Sequence, residues 1–145
     1  MSERQQPNAR YSVTPYLTIP SVPKLVEFLQ QTFDAVVTEA PMKTPDGRVM
    51  HAEVRIGDSV VMMGEPPAEK PPMPTMLYVM VPDVDATYRK ALAAGGTSLR
   101  EPTDEFYGHR SGGVTDSFGN QWWIATHIED VSKEEMDRRM AALKS

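Results

Sequence analysis

Histidine and carboxylate side chains are the residues of this chain best suited to chemistry. His51 and Glu53 stand two apart in Val49-Met50-His51-Ala52-Glu53-Val54-Arg55-Ile56, whose alternation marks a strand. Period two puts them on one face with Arg55, because Met50, Ala52, Val54 and Ile56 claim the other for a core. An imidazole and a carboxylate so placed can move protons, or share a divalent ion with His109. The plainer reading is a structural hydrogen-bonded pair beside Arg55. Arg110 can pair an anionic ligand or Asp116, and His127 reads as a packing or hydrogen-bonding residue at a strand end.

The elements that must position these residues come as an internal repeat. Leu17-Thr18-Ile19-Pro20-Ser21-Val22 rhymes with Val79-Met80-Val81-Pro82-Asp83-Val84 at an offset of 62. The same offset carries Gly57-Asp58, a hairpin-type pair, onto Gly119-Asn120. In the first half, strands are expected over Ser12 to Ile19, Ala35 to Met42, Val49 to Ile56 and Ser59 to Gly64. A helix from Val22 to Thr32, capped by Ser21, presents Leu25, Phe28 and Leu29 on one face. The second half repeats the order: strand Met76 to Val81, helix Val84 to Ala94 capped by Asp83 and ended by Gly95-Gly96, then strands Thr97 to Arg100, His109 to Thr115 and Gln121 to His127. Repeat one spans about 11–64 and repeat two about 75–131, within a single domain over 1–145. The proline-rich stretch 65–74 between them can be neither helix nor central strand and reads as a linker. Ser132 with Glu135 opens a terminal helix over about 132–144. Met136, Met140 and Leu143 form its apolar stripe, to dock on the body or on a partner subunit.

Composition excludes several classes. The 145 residues contain no cysteine, which removes disulfides, thiolate zinc sites and cysteine nucleophiles and fits a reducing cytoplasm. A formal net charge of −5 leaves no basic face for a phosphate backbone, so no nucleic-acid partner is expected. No apolar run approaches the roughly 18 residues needed to span a bilayer, so no membrane partner is expected. Met1-Ser2-Glu3-Arg4-Gln5-Gln6 lacks the apolar segment of a secretory signal. Thirteen prolines and nine glycines punctuate the chain into the short elements of a strand-rich α+β fold.

The order βαβββ twice resembles the vicinal-oxygen-chelate superfamily of glyoxalase I, extradiol dioxygenases and bleomycin-resistance proteins, and within it the PhnB-like branch. The residues that carry the likeness are Thr14-Pro15-Tyr16-Leu17, His51-Ala52-Glu53, Ile56-Gly57-Asp58, Val81-Pro82-Asp83-Val84-Asp85-Ala86 and Tyr107-Gly108-His109-Arg110-Ser111-Gly112. Asp116-Ser117-Phe118-Gly119-Asn120-Gln121-Trp122 and Ala125-Thr126-His127-Ile128-Glu129-Asp130 complete them, so the likeness covers Tyr11 to Val131. It implies two βαβββ repeats forming curved mixed sheets around a concave cavity. In metal-dependent members, four His, Glu or Gln side chains on the first and last strand of each unit hold a divalent ion. Counting seven residues beyond Asp116 and five before Val81, and then applying the offset of 62, places those positions at Trp123, Met76, Val61 and Thr14. None suits a hard or borderline cation.

Those anchors, with strand alternation, put Tyr16, Thr18, His51, Glu53, Arg55, Tyr78, Met80, Trp123, Ala125 and His127 on the cavity side, with Met62 in the core and Met63 in the cavity wall. Tyr16, Thr18, Arg55, Met63, Tyr78, Met80, His109 and Trp123 are therefore the expected ligand-binding residues. His51 and Glu53 are the expected catalytic pair if there is catalysis. The resemblance implies a small-molecule-binding homodimer with no metal and no cofactor, sequestering an aromatic or antibiotic-like compound. The alternatives are a lyase or isomerase acting through His51 and Glu53, or a metal enzyme with relocated ligands from His51, Glu53, His109 and His127.

Overall fold

The computed structural model describes residues 11–143. The Met1–Gln6 stretch and Lys144, the expected end of the last helix, lie outside them. Two four-stranded mixed sheets and three helices follow the expected order: β1 (Tyr16–Thr18), α1 (Val22–Phe33), β2 (Val36–Lys43), β3 (Val49–Ile56) and β4 (Ser59–Gly64), then β5 (Met76–Met80), α2 (Val84–Ala93), β6 (Thr97–Asp104), β7 (His109–Thr115) and β8 (Gln121–His127), and finally α3 (Lys133–Ala142). The sheets run β1-β4-β3-β2 and β5-β8-β7-β6; in each, only the first strand pairs in parallel. No helix among the described residues is long and apolar enough to cross a membrane.

The helices α1 and α2 each cover one face of their own sheet. Leu25 and Leu29 of α1 are fully buried over Leu17, Val54 and Met63, and Val84 and Ala91 of α2 over Val114 and Ile124. One core joins the halves, because Phe28 and Phe33 of α1 pack on Trp122 of β8, with ring centroids 6.5 and 5.6 Å apart. Trp122 is completely buried, and its indole N–H must find an acceptor there. It donates to Asp116 Oδ2 at 2.9 Å. The same carboxylate accepts Asn120 Nδ2 at 2.9 Å, Phe118 N at 2.8 Å and Asn120 N at 3.1 Å. Asn120 Oδ1 in turn accepts Thr75 N at 3.0 Å, tying the linker's exit into β5 to the same turn. Asp116 is therefore fully engaged here, and the suggested Arg110–Asp116 pair does not form.

The helix starts show the repeat in another chemistry. In the first half, Glu65 accepts Val22 N at 2.8 Å and Val49 N at 2.9 Å. In the second, Thr126 Oγ1 accepts Val84 N at 2.8 Å and donates to Val81 O at 3.0 Å. Both side chains satisfy an orphan amide at a helix N-terminus.

Several expectations need correction. β1 begins at Tyr16 rather than Ser12: Pro15 has no N–H to give, its carbonyl accepts Met62 N at 2.9 Å, and Val13 is left 84% exposed. β6 runs on past Arg100 to Asp104, because register shifts between Ser98 and Arg100 and between Arg100 and Thr103 fit Pro102 into an edge strand. Val49 is buried and Met50 exposed, so alternation breaks at the start of β3. The repeat offset is not constant. Tyr16 lies beside Met62, but its counterpart Tyr78 lies beside Trp123, so the β4-to-β8 offset is 61. A one-residue slip exchanges the faces of a strand. Met63, fully buried beside Leu17 and Ala52, is core rather than cavity wall. Met62 lies on the opposite face, so the equivalent of Trp123 is Met62 and not Val61. Finally, α3 buries no side chain and leaves Met140 and Leu143 more than half exposed; it is held by Arg139, which donates to Phe106 O at 2.8 Å and pairs with Glu129 at 2.7 Å.

Removing the Asp116 carboxylate strands buried donors and frees the tryptophan that joins the halves. Asp116→Ala is expected to lower the urea-unfolding free energy by about 3 kcal/mol or more, with loss of the near-ultraviolet tryptophan dichroism.

Candidate ligand site on the open sheet faces

The face of each sheet away from its helix carries most of the expected site residues. On the first sheet, β3 presents His51, Glu53 and Arg55, all half-buried. Tyr16 stands beside His51, with ring centroids 5.8 Å apart, and its hydroxyl donates to Met50 O at 3.1 Å. Gly64 makes room for that hydroxyl, since a Cβ there would come within 2.5 Å of it. Glu53 does not bond His51: its Oε2 accepts Thr38 Oγ1 at 2.8 Å. Among the described residues Arg55 makes no ion pair and the His51 side chain no hydrogen bond. A hollow of about 500 Å³ here is lined by Thr14, Thr38, Glu53, Arg55, Val60 and Met62, among others, and by no residue of β5 to β8. Thr18 is engaged elsewhere, its hydroxyl accepting Met73 N of the linker at 2.8 Å.

The second sheet is more aromatic. Trp123 lies flat across β7 at Gly113, where a Cβ would sit 2.7 Å from ring carbons, so only glycine allows this pose. Its indole N–H donates to Gln121 Oε1 at 3.1 Å. The Arg100 guanidinium stands 5.5 Å from the ring centroid, a cation–π distance. Arg100 is held by an ion pair to Glu105 and by donation to Ser111 Oγ at 3.1 Å, and Ser111 donates to Glu105 Oε2 at 3.0 Å. Further along, the Tyr78 hydroxyl meets His109 Nδ1 at 2.8 Å and the Tyr107 hydroxyl at 3.5 Å. His109 faces His127 across the ladder with rings 5.8 Å apart, and His127 Nε2 meets Asp130 at 2.8 Å. Met76 and Met80 flank Tyr78, exposed to 63% and 50%.

Electrostatics separate these groups. Burial of the Tyr78 hydroxyl end, reinforced by the Tyr107 hydroxyl, pushes its ionisation well above the ordinary phenol range. Arg110 is not free for an anion. Its Nε and Nη2 grip the Asp85 carboxylate at 3.0 and 3.1 Å, and Nη1 reaches Asp104 at 3.0 Å. Those bonds hold the Asp85 carboxyl below the usual carboxylate range. Its contribution to stability is thus present above the unfolded-state value of about 3.9 and is lost only as pH falls through the lower folded value.

Of the expected residues, the structure gathers Tyr78, Met80, His109, His127 and Trp123 on one sheet and Tyr16, His51, Glu53 and Arg55 on the other. No hydrogen bond, ion pair or ring contact among the described residues joins the two sets. Arg100, Glu105, Tyr107, Ser111 and Gly113 went unrecognised as site residues in the sequence. Period two from His109 already places Ser111 and Gly113 on its face. The bulges of β6 hide Arg100 from any such count.

A family model for the Glyoxalase/Bleomycin resistance protein/Dioxygenase superfamily matches residues 12–124, and the chain belongs to that superfamily. An uncharacterized protein of Mycobacterium bovis is 28% identical over 93% of this chain and 95% of its own. Among solved structures, TioX from Micromonospora sp. ML1 aligns with a TM-score of 0.63 and 24% identity over 80% of this chain and 96% of its own. A PhnB protein from Bacillus cereus aligns with a TM-score of 0.64 and 18% identity over 80% of this chain and 99% of its own. Such distant likenesses establish the fold.

The divalent ion of metal-dependent members does not fit the residues present. With the corrected register its four positions are occupied by Thr14, Met62, Met76 and Trp123, and the last is spread flat on the sheet. Among the described residues no three His, Asp or Glu side chains converge as ligands, and the relocated set is split between the two sheets.

The raised ionisation of Tyr78 can be checked by spectrophotometric titration. Through about pH 11, one unit past the ordinary tyrosine value, Tyr78→Phe is expected to form as many phenolates as the unmodified protein. A loss of one phenolate in the variant would show that Tyr78 titrates normally.

Proposed function

We propose that this chain is a small-molecule-binding protein that takes a planar, partly apolar ligand on its open sheet faces without a metal ion, sequestering rather than transforming it. The observation that carries this reading is Trp123, laid flat over Gly113 where metal-dependent members place a ligand atom. The neighbouring strand adds Tyr78, Met76 and Met80, which supply stacking and adaptable contact. Acid–base catalysis by His51 and Glu53 has less support, because Thr38 takes a Glu53 oxygen and no bond joins the pair.

The protein acts as a homodimer. Met76, Met80, Tyr16 and Tyr78 are each close to half exposed or more, and a second copy would cover an apolar surface of this kind. Assignment to the PhnB-like branch and to the cytoplasm rests on the matching motifs and the cysteine-free composition.

Calorimetric titration with a planar aromatic such as 2-naphthol, with and without EDTA, tests the reading. Affinities agreeing within about twofold are expected. Loss of binding on chelation, or no binding by planar aromatics at millimolar concentration, contradicts it. Light scattering at micromolar concentration is expected to give the mass of two chains.

A further inference from the structure

Four features of the second sheet converge on one point. Gly113 lets the Trp123 ring lie against the strand. The shifts around Arg100 in β6 turn that side chain onto the open face. Gly112 lets β6 pass close, since a Cβ there would meet Pro102 N at 3.1 Å and Arg100 O at 3.2 Å. Ser111, with 1% of its surface exposed, bridges Arg100 to Glu105.

A partly exposed ion pair contributes little to stability by itself. Here it orients the guanidinium. Both polar contacts of Arg100 among the described residues use Nη2, leaving the Nε and Nη1 donors unspent over the indole, with the guanidinium carbon 5.5 Å from the ring centroid. The Arg100 side chain is 45% exposed and that of Glu105 only 17%, so the cation faces the open side while its counter-ion lies behind it. A planar ring against Trp123 would bring a substituent at its edge within reach of those donors. A carboxylate suits them best, being planar, bidentate and anionic.

We infer that the ligand of this site is a planar aromatic acid, its ring stacked on Trp123 and its carboxylate bound by Arg100. This rests on the binding function proposed above and deepens it: Arg100 sets specificity, and Ser111 and Glu105 are positioning residues that hold it. His109, hydrogen-bonded to Tyr78, stands on the same face and bounds the site along the strand.

The test compares 2-naphthoate with its neutral isostere 2-naphthamide by calorimetry on the full chain. Naphthoate is expected to bind about tenfold or more tightly than naphthamide, the usual gain from charge-assisted hydrogen bonds. Arg100→Gln is expected to bring the two within about twofold by lowering naphthoate affinity alone, and Arg100→Lys to keep part of the preference, because it retains charge without the fork. Unchanged circular dichroism and naphthamide affinity show that each variant is folded with its stacking surface intact. Should Arg100→Gln fail to fold, Arg100→Lys decides: an unreduced preference overturns the inference. Equal affinities in the unmodified protein, or a preference that survives Arg100→Gln, overturn it while leaving aromatic binding standing. Absence of binding by both compounds overturns it together with the binding function.

Discussion

The structure depends on one buried carboxylate. Asp116 gathers two backbone amides, the Asn120 amide and the Trp122 indole, and so converts a turn into a rigid mount. With its N–H satisfied, Trp122 can be fully buried and lie against Phe28 and Phe33 of the other half. Alternation does the rest. A residue locked into the core obliges its neighbour to face the other way, so anchoring Trp122 turns Trp123 onto the open face. The contact that unites the two repeats and the aromatic face proposed to receive a ligand thus follow from the same turn.

The two repeats are alike in backbone and unlike in chemistry. Glu65 and Thr126 close the helix starts of their halves from corresponding strand ends. The first open face is polar, with Glu53, Arg55 and Thr38 around a hollow; the second is aromatic, with Trp123, Tyr78 and Tyr107. Among the described residues neither face gathers three His, Asp or Glu side chains around one point. The second face offers stacking area, methionine side chains and the oriented guanidinium of Arg100.

Element order was legible in the sequence because helix caps, turn glycines and periodicity agree at each step: Ser21, Asp83 and Ser132 all cap as read. The faces of β1, β5 and β8 were legible too, since their aliphatic sets alternate cleanly. Met62 and Met63 were misread because a single repeat offset was carried through both turns. Met62 lies opposite Glu53 and Trp123 opposite Gly113, so the offset of 62 at β1 and β5 has already fallen to 60 at β3 and β7, and the Asp116–Asn120 loop, longer than the tight Gly57-Asp58 turn, restores one residue to give 61 at β4 and β8. Arg110 looked available because its partner Asp85 lies 25 residues away on a helix. Arg100 was hidden for a different reason. Irregular pairing in an edge strand decouples side-chain direction from position, and only the three-dimensional register shows where it points.

In the proposed function the open faces, and not the core or the linker, receive the ligand. Methyl-labelled methionine spectra test it most directly, because methionines mark each region: Met62, Met76 and Met80 the open faces, Met63 the core, and Met73 the linker. On titration with 2-naphthoate, the Met76 and Met80 methyl signals are expected to shift furthest, Met62 to follow if a second copy brings its face near, and Met63 and Met73 to stay in place. Shifts confined to Met63 and Met73, or no shift at Met76 and Met80 at saturating ligand, would contradict the account.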